Sequence, residues 1–288
     1  MAFGAKGDNA TDDSTAIMRA FAAAKEQKRS LYFPAGTYNV GSKQLRLTLN
    51  EVCFSGITIY GDGVGRSQIN AQNVTTSPQV LIYSDISSGQ FEHGFKDCHS
   101  IYLSFKDIGF LTNTPGVGLQ IGADDFLDPI NEPEIEASVF NASTSPTAEA
   151  VRLNHVLNGE LKFSATTNGP GTALHLRRTV FSSISGSYTA LGGVAVRIAG
   201  DFNYGNVLTA MDMAYADTCV VSSSQSAFAN TFIGGNFSYK KFGVSATAGN
   251  KLLIINPLIN PIAPATAADM VARDSQGNKQ DVGLSFMP

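Results

Sequence analysis

The sequence predicts an all-β solenoid, in which short strands stack in parallel and one short helix closes the N-terminal side. Three observations predict it. Five segments in the second half align without gaps: EAVRL (149–153), TALHL (172–176), VAVRI (194–198), TCVVS (218–222) and FGVSA (242–246). Their central residues, Val151, Leu174, Val196, Val220 and Val244, stand 23, 22, 24 and 24 residues apart, about one solenoid turn each. The segments alternate with a period of two, the spacing of a half-buried strand. Finally, 288 residues that are 43% apolar, with a mean hydropathy of +0.00, supply enough apolar side chain for a sizeable core.

The first element in chain order is the helix. After GAKGDNATDDS (residues 4–14), Ile17, Phe21 and Ala24 recur at helical spacing with alanines between them. Asp12, Asp13 or Ser14 can cap the free N–H groups of the first turn, and the aspartates suit its positive end. A phosphate loop of the G-x-x-x-x-G-K-[ST] kind needs lysine after its second glycine. Here Asp8 follows Gly7, and three aspartates would repel an anion. A helix over residues 14–27 is expected.

Strands follow. SLYFPAGTYNV (30–40) alternates and carries a Pro-Ala-Gly-Thr turn. QLRLTL, ITIYGDGVGRSQI and QVLIYSDI then repeat the sequence of short strand, Gly or Asn turn and short strand. GDGVGRS (61–67) has the spacing G-x-G-x-G with no helix after it. It therefore reads as a turn between strands and not as a dinucleotide fingerprint.

The ordered set FGAKGD, TDDSTAI, FPAGTY and GDGVGRSQI, across about residues 3 to 70, resembles the N-terminal signature of the pectate-lyase-like right-handed β-helices, many phage tailspikes and capsule depolymerases among them. The resemblance implies a right-handed parallel β-helix whose N-terminal end is plugged by the short helix. It divides the chain into a cap at 1–30, the β-helix at 31–260 and a C-terminal cap or interface segment at 261–288, where the repeat is lost. It also implies a homotrimer in a virion tail, outside the host cell, acting on a bacterial surface polysaccharide.

The alternation assigns faces. Val151, Leu174, Val196, Val220 and Val244 point in, as do Leu153, Leu176 and Ile198. Arg152, His175 and Arg197 then point out as one basic column, with Asn154 and Arg177 two positions on. Stacked like charges at about 4.8 Å are unfavourable unless something negative lies against them. That partner is an acidic substrate, the carboxylates of an adjoining subunit, or Glu149, Glu160, Asp201 and Asp217 nearby. A second register pairs Asn206, Asn230 and Asn250 with Asp212, Asn236 and Asn256, each six residues later. It reads as a hydrogen-bonded ladder, which gives Asp212 a structural role. GADDFLDPINEPEIE (122–136) interrupts the repeat, since the stretch from Val117 to Val151 is longer than one turn. A protruding acidic loop is expected there, without the spacing of a calcium loop.

Other classes are disfavoured. A formal net charge of −4 argues against nucleic acid. No stretch approaches the roughly 20 apolar residues of a spanning helix, so no membrane partner is expected. Cys53, Cys98 and Cys219 are too far apart for a zinc site or an evident disulfide framework. The opening MAFGAKGD lacks a signal-peptide layout. No cofactor or metal is expected.

For the chemistry, the Asn-x-Asp, Asp-Asp, Gly-His-Gly and Arg-Ile-Lys set of polygalacturonases is missing from the repeats, as is the Arg-x-Pro-x-x-Arg of pectate lyases. Glycoside hydrolysis needs two carboxyl groups, about 5 Å apart for retention and about 6.5–9.5 Å for inversion. Glu160 and Asp201 are the expected catalytic pair, beside substrate-binding Arg152, His175, Arg177, Arg197 and Tyr204. With no Trp, Tyr188, Tyr204, Tyr215 and Tyr239 are the candidate sugar-stacking rings. Two further readings stay open: a non-catalytic receptor-binding or structural β-helix of a virion, and a polysaccharide lyase.

Overall fold

A computed structural model describes residues 2–49, 56–83, 102–124, 129–223, 229–246 and 252–272, and the backbone of 285–287. The chain is an all-β parallel solenoid of about nine turns with one short helix near its N-terminus. Every strand pairing among the described residues is parallel.

The expected column is present in register. Val151 faces Leu174, Leu174 faces Val196, Val196 faces Val220 and Val220 faces Val244. All five side chains are fully buried. The column also extends backwards, but not as the repeat counted it. Leu119 faces Val151, while Val117 faces Glu149, so this turn is longer than those that follow but shorter than the step from Val117 to Val151.

The helix runs Ser14–Glu26 and buries Ile17, Ala20, Phe21 and Ala24 on the first turn of the core. Of its acidic entry, Asp12 caps the first turn as expected, and the other aspartates serve the preceding loop. Asp13 sits at the N-cap, but its side chain makes no capping bond. Its carboxylate instead accepts the N–H groups of Lys6 and Gly7 at 2.7 and 2.9 Å. Asp12 accepts the Ser14 N–H at 2.9 Å, and Asp8 accepts those of Ala10 and Thr11. Asp12 thus caps the first helical N–H, while Asp13 and Asp8 bond N–H groups of the preceding loop and strand. The segment Asp8–Asp12 then joins the solenoid beside Gly36–Asn39.

GDGVGRS is the expected turn. Ser67 Oγ accepts the Asp62 N–H and donates to the Phe33 carbonyl, both at 2.8 Å. Residues 122–136 are not one protruding loop. Ile130–Asn131 and Glu134–Asn141 are solenoid strands, the second in full register with Glu160–Thr167. Ile135, Ala137 and Val139 point into the core, so the alternation of EIEASVF outweighs its acidity. Asp125 and Asp128 lie outside the described residues, as do Cys53 and Cys98.

The ladder holds at its first steps. Asn206 Nδ2 donates to Asn230 Oδ1 at 2.8 Å and to the Thr179 carbonyl at 2.7 Å. Asn236 donates to Asp212 at 3.0 Å. It ends there, because Asn236 faces Leu258. That turn is shorter than the one before it, which moves Asn256 out of line. Asn250 is outside the described residues.

Candidate functional site

Two outer faces of the solenoid carry charge. On the first, Gln120, Arg152, His175 and Arg197 form one column in register, as the repeats require. Its negative partner is internal. Glu149 receives Arg152 through Nε and one terminal nitrogen, each at 2.8 Å. His175 Nδ1 lies 3.0 Å from the same carboxylate. Burial alone would raise the Glu149 pKa. Hydrogen bonds from His175 and Arg152, and their charge, outweigh it and hold the group down at about 2. Burial pushes the His175 pKa below its ordinary value against the pull of Glu149. Arg152 is therefore the permanent cation of this cluster at neutral pH, and Glu149 its permanent anion. Arg197 is half-buried, and its Nε donates to Thr172 Oγ1 at 3.2 Å.

Asn154 faces Arg177, as expected, but it is fully buried. Both meet Asp124: Asn154 Nδ2 at 3.0 Å and Arg177 at 3.2 Å. The start of the acidic segment thus lies against the basic column. Tyr204 is half-buried and makes an edge contact with Phe181, centroids 5.2 Å apart. Tyr188 and Tyr239 are fully buried, with hydroxyls on the carbonyls of Ser185 and Thr266. Those two cannot stack on a sugar. Tyr215 is exposed.

Glu160 and Asp201 are not brought together on adjacent turns. Glu160 opens the strand Glu160–Thr167 on a different sheet from the basic column. Its neighbours in register are Glu134 and Ser183, and Ser183 faces Val207. Asp201 lies in the turn after Val194–Ile198, six residues before Val207. Two turns of about 4.8 Å already separate the pair by about 9.6 Å along the axis before any sideways offset. Alternation told which residues face out, but one solenoid turn has several sheets, and facing out does not say which one.

What surrounds Glu160 is an open furrow, about 370 Å³ at its middle, lined there by Lys106, Glu134, Glu136, Glu160, Lys162, Ser183 and Ser185. One end continues past Ser104, Tyr102 and Glu132 to Lys28 and Arg29. The other continues over Ser138, Ser164, Gly186 and Ser187 to Asp212. The serines stack because Ser138, Ser164 and Ser187 share one column. Gly186 has φ +126°, and a Cβ there would collide with the Phe163 carbonyl, so the floor is kept low by the backbone itself.

The charges of the furrow pair in a set order. Lys106 Nζ lies 2.7 Å from Glu134 Oε1, and Lys162 Nζ lies 2.6 Å from Glu136 Oε1. Glu160 is exposed and, among the described residues, has no ion pair. Glu134 and Glu160 are direct neighbours across adjacent strands. Their backbones are one strand spacing apart, about 4.8 Å, which puts the two carboxyl groups on the same face of adjacent turns. Sequence reasoning missed Lys106, Glu134, Glu136 and Lys162. The signal was the gapless alignment of EIEASV (134–139) with ELKFSA (160–165).

Among the described residues no cluster of three or more His, Cys, Asp or Glu side chains is arranged to hold a metal ion. No helix is long and apolar enough to cross a membrane.

A family model described as rhamnogalacturonase A/epimerase, pectate lyase-like, matches residues 1–159, more than half of the chain. No curated protein matches it. Among solved structures, pre-mature gene product 12 of bacteriophage phi29 is similar with a TM-score of 0.57 at 14% identity. That match covers 90% of this chain and 41% of the phage protein, so the chain spans about two fifths of its length. The A-module of the Azotobacter vinelandii mannuronan C-5 epimerase AlgE6 gives a TM-score of 0.38 at 14% identity, covering 99% of this chain and 78% of that one. Tailspike protein 3 of bacteriophage CBA120 gives 0.30 at 12% identity, with 99% and 56% covered. At these identities the likeness is one of fold.

Proposed function

Because the chain belongs to the rhamnogalacturonase A/epimerase, pectate lyase-like family, we propose that it binds and hydrolyses a bacterial surface polysaccharide, capsule or O-antigen, in the manner of a tailspike depolymerase. The observation that carries this reading is the carboxylate pair Glu134 and Glu160, in register on adjacent strands within an open furrow.

The roles follow from the geometry. Lys106 fixes Glu134, which suits the nucleophile that attacks the anomeric carbon. Glu160 is exposed and unclamped, which suits the acid that protonates the leaving oxygen. It then takes a proton from the water that releases the glycosyl intermediate. With the two groups one turn apart, the reaction retains configuration. This assignment keeps Glu160 from the expected pair and replaces Asp201 by Glu134. The division at residues 30 and 260 and a place in a virion tail as a homotrimer belong to the same proposal. Support for a subunit interface comes from Phe181 and Phe202, which are 61% and 57% exposed beside Tyr204 at one corner of the solenoid, since clustered exposed apolar side chains mark contacts. Light scattering that shows a monomer at micromolar concentration removes the trimer.

Reducing-end release from capsule and O-antigen preparations tests the activity. The expected result is release that Glu134→Gln abolishes, with product of retained configuration. Binding without release supports a receptor-binding β-helix instead, and unsaturated product absorbance supports a lyase.

A further inference from the structure

We infer that the polysaccharide this furrow takes is uncharged, not a polyuronate; the inference rests on the proposed polysaccharide site and names its substrate class. The cations of the furrow's middle are already spoken for. Lys106 and Lys162 each hold a glutamate, at 2.7 and 2.6 Å. A uronate that reached either ammonium would have to displace that glutamate. The freed carboxylate would then stand beside the incoming one and beside Glu160. Such exchange replaces one exposed ion pair by another of the same kind, with little net gain, and adds a like-charge contact.

The charge count over the whole furrow points the same way. Lys28, Arg29, Lys106 and Lys162 face Glu132, Glu134, Glu136, Glu160 and Asp212, four cations against five carboxylates among the described residues. A repeating anion laid along the face meets net repulsion at every turn near a carboxylate. The basic column offers no repeating alternative track, because Glu149 occupies Arg152 and His175 and only the half-buried Arg197, on the Thr172 hydroxyl, is left without a carboxylate.

A neutral sugar meets the opposite situation. Its hydroxyls can donate to Glu160 and to the outer oxygens of Glu134 and Glu136, in charge-assisted bonds about twice as strong as neutral ones. They can exchange hydrogen bonds with Ser138, Ser164 and Ser187 on the floor. The ion pairs need not break, so the lysines act as fixed walls. Charge neutrality along the ligand is thus a specificity device of the same face that holds the carboxylate pair.

The test uses the full chain and a panel of purified capsule and O-antigen polysaccharides graded from uncharged to uronic-acid-rich, with polygalacturonate as the polyanion. Binding is followed at low and high salt. The expected result is binding of uncharged members only, changing less than about twofold when added salt shortens the screening length. Glu136→Gln, which frees Lys162, should create a salt-sensitive affinity for polygalacturonate that the wild type lacks. Salt-sensitive binding of uronate polymers by the wild type would overturn the inference and leave the polysaccharide site standing. No binding to any member would overturn both.

Discussion

The two charged faces of the solenoid are built from the same parts, glutamates beside basic side chains on adjacent turns, and behave in opposite ways. On the basic face Glu149 and Arg152 are 13% and 20% exposed, and their contacts close on themselves. On the furrow face the paired side chains are 44% to 62% exposed, and Glu160 is left over. Burial explains the difference. A charge taken from water must be matched within the fold, so Glu149 answers Arg152 and His175, Asp124 answers Arg177, and Arg197 is held by the Thr172 hydroxyl. A charge left in water costs little unpaired and stays available to a ligand. A column of like charges is therefore a poor marker of a binding site when a carboxylate on its own strand, one helical-style step of three away, can neutralise it.

The comparison breaks most visibly at Glu149. Glu149→Gln should cost about 3 kcal/mol of stability, the scale of a carboxylate held more than two pH units below its usual range. Glu160→Gln should shift stability by less than about 0.5 kcal/mol, as for an exposed site. Urea midpoints read both. The same contrast appears on acidification. His175 is depressed, so its folded form favours the neutral ring. That contribution is present above about 6.5 and is lost as pH falls through the folded value. Glu149 is depressed as well, so its contribution is present above about 4.5 and is lost as pH falls toward about 2. Stability should fall in these two steps, and Glu149→Gln should remove the second.

A smaller effect is expected in the ladder. Asn206→Ala leaves the Thr179 carbonyl and the Ser182 N–H without their partner, at about 2 kcal/mol for buried unsatisfied groups. The smallest belongs to the furrow. Lys162→Ala removes an exposed ion pair and should leave the urea midpoint close to that of the wild type. A larger loss would mean that the furrow charges hold the fold as Glu149 does.

The second half of the fold was readable because its turns keep nearly one length. From Val151 to Val244 the steps barely vary, so the inward column could be counted off. The middle was harder. Ser104 faces Glu134 and Glu134 faces Glu160, so these two turns are longer than the later ones and unequal to each other. Pro133 and six acidic residues disguised a strand as a loop. Of the proposed carboxylate pair, only Glu160 was legible. Its partner depends on which sheet a residue occupies, and that is fixed by the corners of each turn. Corner geometry rests on single residues such as Asn158 and Phe181, both at positive φ, that leave no periodic trace.

If the furrow, and not the basic column, handles the glycan, substitutions on the two faces must differ in turnover. Turnover of Glu160→Gln and Arg197→Ala on one cleavable surface polysaccharide tests this most directly, with folding checked by circular dichroism. Glu160→Gln should lose at least about a hundredfold, the scale of a missing general acid, and Arg197→Ala should change turnover within about twofold. Wild-type turnover by Glu160→Gln together with a large loss in Arg197→Ala would contradict the furrow's role.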